Sequence, residues 1–396
     1  MNINFHYFVM KTLCRAAGFT EPQAQTIAYY SQQVDDFVTD VPVVVETEPP
    51  EYLRRHRYAG RLTGRLWMVM PHPTGIDMLQ SLGKKYRHTT LAAFHFIPPQ
   101  AIASLDGQEE ARGIYRCVAG NESAAVLIHQ IVEDSVLRMQ QNQKRKEDRT
   151  PGSPVDREEE VCLMQLGMAL HTYADTYAHC GFSGLEGWEN QALIENVWNQ
   201  TTQKEEIPWA EREIFHRLPP IGHGTAGTAP DLCVCTIDLR MRRDWKDADL
   251  SLHIARDNRQ WFMLCARKIL DILCDCLGAS HWEDAAWKSL EERMLSVMQG
   301  PEADKSNKEL LTARWSRAFP DIIYSYEKNQ RFYYGADTVS AELDGCLIRH
   351  VTAAFFDYQV LAYERADFVT GATGALQERS GLLAESLRMM QNSSGG

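Results

Sequence analysis

At 396 residues, 44% hydrophobic and 24% charged, the chain has the composition of an ordinary globular protein and the length for a large core, in two or three domains or one large helical one. Its formal charge of −12 argues against broad duplex binding, which needs basic surface, though not against a substrate phosphate held through metal ions. No basic segment followed by an apolar run and a small-residue cleavage site opens the chain, and no stretch reaches the roughly 20 apolar residues that span a bilayer. A cytoplasmic protein is expected.

In chain order, apolar Phe8, Val9, Leu13, Ala16 and Ala17 predict a helix over 6–17 that stops at Gly18, and Pro22 starts a second one that ends at Asp35 and Asp36. Residues 38–106 carry several Pro and Gly with short extended pieces at 41–45 and 66–70, and predict loops wrapped on a helical core. Helical spacing resumes over 108–140. The charged stretch 141–156, with Pro151, Gly152 and Pro154, predicts a solvated, flexible loop. A helix over 157–180 follows, then an irregular Pro- and Gly-rich loop over 218–231. Beyond 246, three-to-four spacing predicts helices over 248–277, 282–298, 307–318, 338–371 and 375–390, and the tail 391–396 is expected to be disordered. The sum is a mainly α-helical protein with short extended segments and long loops. Its expected parts are a metal-binding catalytic domain over 1–240 and a helical C-terminal region over 241–390 of unknown role.

Within 157–180, His171, Asp175 and His179 recur at four-residue intervals among small and apolar residues. Four residues of α-helix advance about 400°, so the three side chains share one face with a drift of about 40° per step. Singly, each fits a cap or a buried hydrogen bond. Together they are costly to bury unless something binds them, which is the layout of a metal site. His6 and His95 lie in apolar runs that also suit core histidines, and His223 and Asp231 lie in the glycine-rich loop, where they also suit turns. Cys233/Cys235 and Cys274/Cys276 are spaced by one residue where structural zinc sites use two to four, so the ten cysteines read mostly as buried thiols.

With Phe5-His6-Tyr7, Asp35-Asp36, Phe94-His95-Phe96, the His171–Asp175–His179 ladder and the stretch from Gly222-His223 to Pro230-Asp231 in view, residues 1–235 resemble the superfamily of zinc-dependent phospholipases C and single-strand-specific zinc nucleases. They also resemble a bacterial family of cytoplasmic proteins with the same series of motifs. The resemblance implies a helical protein with a three-zinc cluster that hydrolyses phosphodiesters. It would make Asp175 a carboxylate bridging two metals and His171 and His179 ligands, with Asp35 or Asp36 as a second carboxylate and His95 on the metal pair. His223 with Asp231 would take the last site, and His6 would be the N-terminal ligand. Asp175 and Asp36 are the expected catalytic carboxylates. Secreted members also use an N-terminal amine freed by signal cleavage, and no such cleavage site is visible here. Their last ligand pair is a His and a Glu four residues apart, whereas His223 and Asp231 lie eight apart.

Donor chemistry alone leads to a similar place. Imidazole mixed with carboxylate suits zinc or another borderline ion, and more ligand-type residues than one tetrahedral site needs imply at least two ions. The expected function is therefore phosphodiester hydrolysis by a metal-bound hydroxide, on a phospholipid, a nucleic acid or a small diester. The alternative is an assembly or effector-type protein whose cluster is structural and whose C-terminal helices meet a partner or a second copy.

Overall fold

The computed structural model describes residues 1–105, 113–146, 156–207, 209–215, 217–242, 251–299, 307–334, 341–343, 346–371 and 383–388. The long helices are α1 (Met10–Ala17), α2 (Glu21–Asp36), α3 (Val126–Lys146), α4 (Arg157–Ala178), α5 (Asn258–Leu277), α6 (Asp284–Met298), α7 (Lys308–Ala318) and α8 (Ala353–Thr370). The strands are β1 (Val43–Val45), β2 (Ala59–Thr63), β3 (Leu66–Val69), β4 (Ala192–Asn199), β5 (Lys204–Glu205), β6 (Cys235–Arg242), β7 (Ser251–Asp257), β8 (Ala341–Leu343) and β9 (Cys346–Ile348). With 56% helix and 12% strand the fold is mixed α and β, which corrects the expectation of a mainly α protein.

Two compact units divide the chain, and the division does not fall at residue 240. The first takes 1–32, 94–100 and 105–326; the second takes 33–93, 101–104 and 327–396. In the first, α5 packs against α1, α3 and α4, and α3 lies along α4. Phe262, Cys265, Ala266, Ile269, Leu270 and Leu273 of α5 are almost wholly buried there, so part of the expected C-terminal region is the core of the unit that carries the ladder. Beside this bundle runs an antiparallel sheet in the order β5-β4-β6-β7. Of the expected helix over 248–277, residues 248–250 lie outside the described residues and the rest is strand β7 followed by α5. Asp257 makes the switch, since its carboxylate accepts from the Arg259 N–H at 3.0 Å and caps the helix.

The second unit holds a mixed sheet ordered β2-β3-β1-β9-β8, in which β1 runs antiparallel to β3 and parallel to β9. Val44, Leu62, Met68, Met70 and Leu383 form its small apolar core. Helix α8 contributes an aromatic wall: Tyr363 stacks on Tyr58 at 3.7 Å, and Phe355 and Tyr358 meet Phe37 and Phe332 edge-on or tilted. The expected helix over 338–371 is therefore β8, β9 and α8, with 335–340 and 344–345 outside the described residues. Of the expected charged loop, 141–146 complete α3, 147–155 lie outside the described residues, and Asp156 caps α4 by accepting from Glu159 N–H at 2.9 Å. The expected tail 391–396 also lies outside them, as does the expected last helix apart from the helical residues 383–388.

Candidate metal centre

Helix α4 is pressed close to the middle of α2 because Gly167 has no side chain: a Cβ there would lie 2.5 Å from the Ile27 carbonyl oxygen. This close packing keeps water away from the next turns, and His171, Asp175 and His179 are 0%, 1% and 2% exposed. Asp175 follows His171 by one turn, and His179 ends the helix with its N–H donating to the Asp175 carbonyl at 2.8 Å. The ladder thus forms where helix geometry puts it.

Two π-helical segments, a form often found at functional sites, carry the facing histidines. His6 sits in Asn4–Val9, its ring stacked on His171 at 3.9 Å and its Nε2 3.1 Å from Asp175 Oδ1. His95 ends Arg87–His95, with Nδ1 3.0 Å from Asp175 Oδ2 and 3.3 Å from His171 Nε2. His171 Nε2 is 3.3 Å from the same Oδ2. His95 Nδ1, His171 Nε2 and Asp175 Oδ2 therefore form a closed triangle with edges of 3.0, 3.3 and 3.3 Å. Ligand atoms about 2.1 Å from a tetrahedral ion are separated by about 3.4 Å, close to these edges.

A second group adjoins the first. His179 Nδ1–H donates to the His95 carbonyl at 2.6 Å and His223 Nδ1–H to the Gly227 carbonyl at 2.7 Å, because a carbonyl can only accept. Both rings consequently turn Nε2 to Asp231, His179 to Oδ1 and His223 to Oδ2, each at 3.1 Å. Binding one ring nitrogen to a carbonyl so that the other is aimed is the usual support of a metal-ligating histidine. Burial, ahead of its neighbours' charges, lowers the His179 pKa, which keeps the ring neutral and sets a lone pair against a carboxylate oxygen. A cation between them removes that repulsion. Burial pushes the His223 pKa down, but Asp231 and the Gly227 carbonyl together raise it overall.

The two carboxylates share a further contact. The α-amine of Met1 pairs with Asp175 Oδ1 and with Asp231 Oδ1, the latter at 3.2 Å. Burial pushes both carboxyls up, but this amine and the surrounding imidazoles hold them well below the usual range. Burial and the same amine bring His6 down to about 4. The centre is therefore two anionic carboxylates among mostly neutral imidazoles, a donor set for a borderline divalent ion.

Seven of the nine expected ligands, His6, His95, His171, Asp175, His179, His223 and Asp231, converge in the first unit. Asp35 and Asp36, both partly buried, end α2 and belong to the second unit.

Supports that sequence reading missed come from Phe96, Asn190, Arg256 and Asn258. Phe96 stacks on His179 at 4.2 Å, and Gly222, at φ +55°, comes so near it that a Cβ would lie 2.6 Å from the ring. Asn258 Nδ2 donates to the Ala229 and Leu232 carbonyls, both at 2.9 Å, and so holds the turn that carries Asp231. Asn190 carries its carbonyl to the Thr225 hydroxyl and donates through Nδ2 to Pro220 at 3.1 Å, pinning the loop's other end. Arg256 donates to the Tyr177 and Ala178 carbonyls at 2.8 and 2.6 Å and closes the end of α4. Arg256 and Asn258 flank a cap inside a stretch whose spacing reads as continuous helix, which conceals them; Phe96 stands next to His95 but is one apolar residue among many.

Residues 1–357 match the family of unknown function DUF6765, and the chain belongs to that family. No curated protein and no solved structure matches the chain.

Proposed function

We propose, for this member of a family whose description specifies no activity, a metal-dependent hydrolase that binds zinc and cleaves phosphodiester bonds. The triangle of His95 Nδ1, His171 Nε2 and Asp175 Oδ2 carries the reading, because two imidazole nitrogens and a carboxylate oxygen are gathered at the spacing of a zinc coordination shell. His179, His223 and Asp231 would hold a second ion, and His6 adds a donor to the first group. Bound ions would acidify a water and stabilise charge on a phosphoryl oxygen. The chain's own residues supply the rest: carbonyls of His95 and Gly227 orient two imidazoles, and burial keeps bulk water from the inner carboxylate. Side-chain exposures of 14% for His223 and 21% for Asp231 leave the outer group within reach of solvent, hence of a substrate.

The burial of His6, His95, His171 and Asp175 favours a second reading, a structural cluster in an assembly or effector-type protein. Metal analysis of the purified protein followed by assay on a chromogenic diester, phosphatidylcholine and single-stranded DNA or RNA separates the two. Two or more equivalents of zinc with turnover on one of these supports the hydrolase. Zinc without turnover on any supports the structural cluster, and no zinc on reconstitution removes both. No described helix is long and apolar enough to cross a membrane.

A further inference from the structure

Four apolar side chains stand in solvent on one short stretch of the second unit: Ile76, Met78, Leu79 and Leu82 are 42%, 75%, 82% and 56% exposed. Their backbone is firmly built. The Thr74 and Gly75 N–H groups both donate to the Phe37 carbonyl at 2.9 Å, anchoring the base of the loop. Asp77 Oδ1 accepts from the N–H groups of Leu79 and Gln80 at 2.9 and 3.0 Å and starts the 3-10 turn Gln80–Leu82. The Tyr86 hydroxyl accepts from Asp77 N–H at 2.9 Å and donates to the Gly75 carbonyl, and Arg87 donates to the Leu82 carbonyl at 2.7 Å. These bonds hold the loop with its apolar side chains outward, on a ridge followed directly by Lys84, Lys85 and Arg87 in a chain of net charge −12.

We propose that this ridge is an interfacial anchor that docks on an anionic lipid bilayer. Met78, Leu79 and Leu82 would enter the boundary between headgroups and acyl chains, while the exposed Lys84 meets a headgroup phosphate. Apolar surface beside basic charge is what such a surface attracts, and the two contributions add. A second copy of the chain is the other occupant that light scattering distinguishes. The inference is independent of the metal centre.

Cosedimentation of the full-length protein with phosphatidylcholine vesicles, with and without phosphatidylglycerol, tests it. Binding is expected to the anionic vesicles, and to be about tenfold weaker on phosphatidylcholine alone and in Leu79→Asp or Lys84→Glu. Circular dichroism melts of the variants should match the parent, since both side chains lie in solvent. Absence of binding, equal binding to both vesicles, or full binding by Leu79→Asp overturns the proposal. So does a dimer in light scattering that Leu79→Asp dissolves, which would assign the ridge to a second copy.

Discussion

The inner group of donors, His6, His95, His171 and Asp175, and the outer group, His179, His223 and Asp231, meet at one centre but are held there by different means. The inner group is almost wholly buried and carried on helical segments, with one carboxylate serving three imidazoles at 3.0–3.3 Å. In the outer group His179 ends α4, while His223 and Asp231 hang on a glycine-rich loop whose place is decided by hydrogen bonds from Asn190 and Asn258, and these two reach solvent. A buried set is strict in what it accepts and costly to disturb; a loop-borne set can be tuned and approached.

The largest effect expected from breaking this contrast is that of Asp175→Asn. It leaves the imidazoles without their shared anion and should remove the inner ion, with turnover on any accepted diester falling at least about a hundredfold. Asp231→Asn should lose only the outer share of the metal, so metal analysis of the two variants side by side measures how separate the groups are. Equal loss in both would merge them into one site.

Acid should act next most strongly, on the metal-free protein. His6 is held at about 4 against an unfolded value near 6.5, so its neutral form favours folding above pH 6.5, and that contribution is lost as the pH falls from 6.5 towards 4. Taken alone it amounts to about 3 kcal/mol. The lowered pKa values of Asp175 and Asp231 work in the same direction at lower pH, while His223, raised, opposes it weakly by losing its contribution as the pH rises. Denaturant titrations across this range should show stability falling with acid, and zinc should restore it above the pH where the ligands protonate. A flat profile would mean that these rings are not held neutral.

The smallest and most selective effect is expected for Asn258→Ala. Two carbonyls lose their donor, the turn carrying Asp231 loosens, and affinity for the outer ion should fall about tenfold with the inner ion kept. Stability should drop by about 1–3 kcal/mol, read from thermal melts with and without metal. Loss of both ions would show that the loop supports the inner group as well.

The four-residue ladder was legible from sequence alone because α-helical periodicity is a local property: once α4 forms, His171 and Asp175 must share a face. Gly18 as a stop, the second helix ending at Asp36 and the loop over 218–231 were legible for the same reason, each being marked by nearby Gly, Pro or acidic residues. Strands β7 and β9 were not, because a few apolar residues in a short segment mimic the spacing of a helix and only pairing with β6 and β1 distinguishes them. For α5, the 3.6-residue pattern shows that it buries a face but not against what, so its place at the heart of the first unit was a matter of packing. Likewise the donor types along the chain were plain, whereas the lone pairs now opposed to carboxylates depend on which carbonyl each Nδ1–H meets. Local periodicity and residue chemistry are written in sequence; the convergence of His6, His95, His223 and Asp231 on α4 depends on long-range contacts, whose free energy belongs to the folded whole and to no single segment.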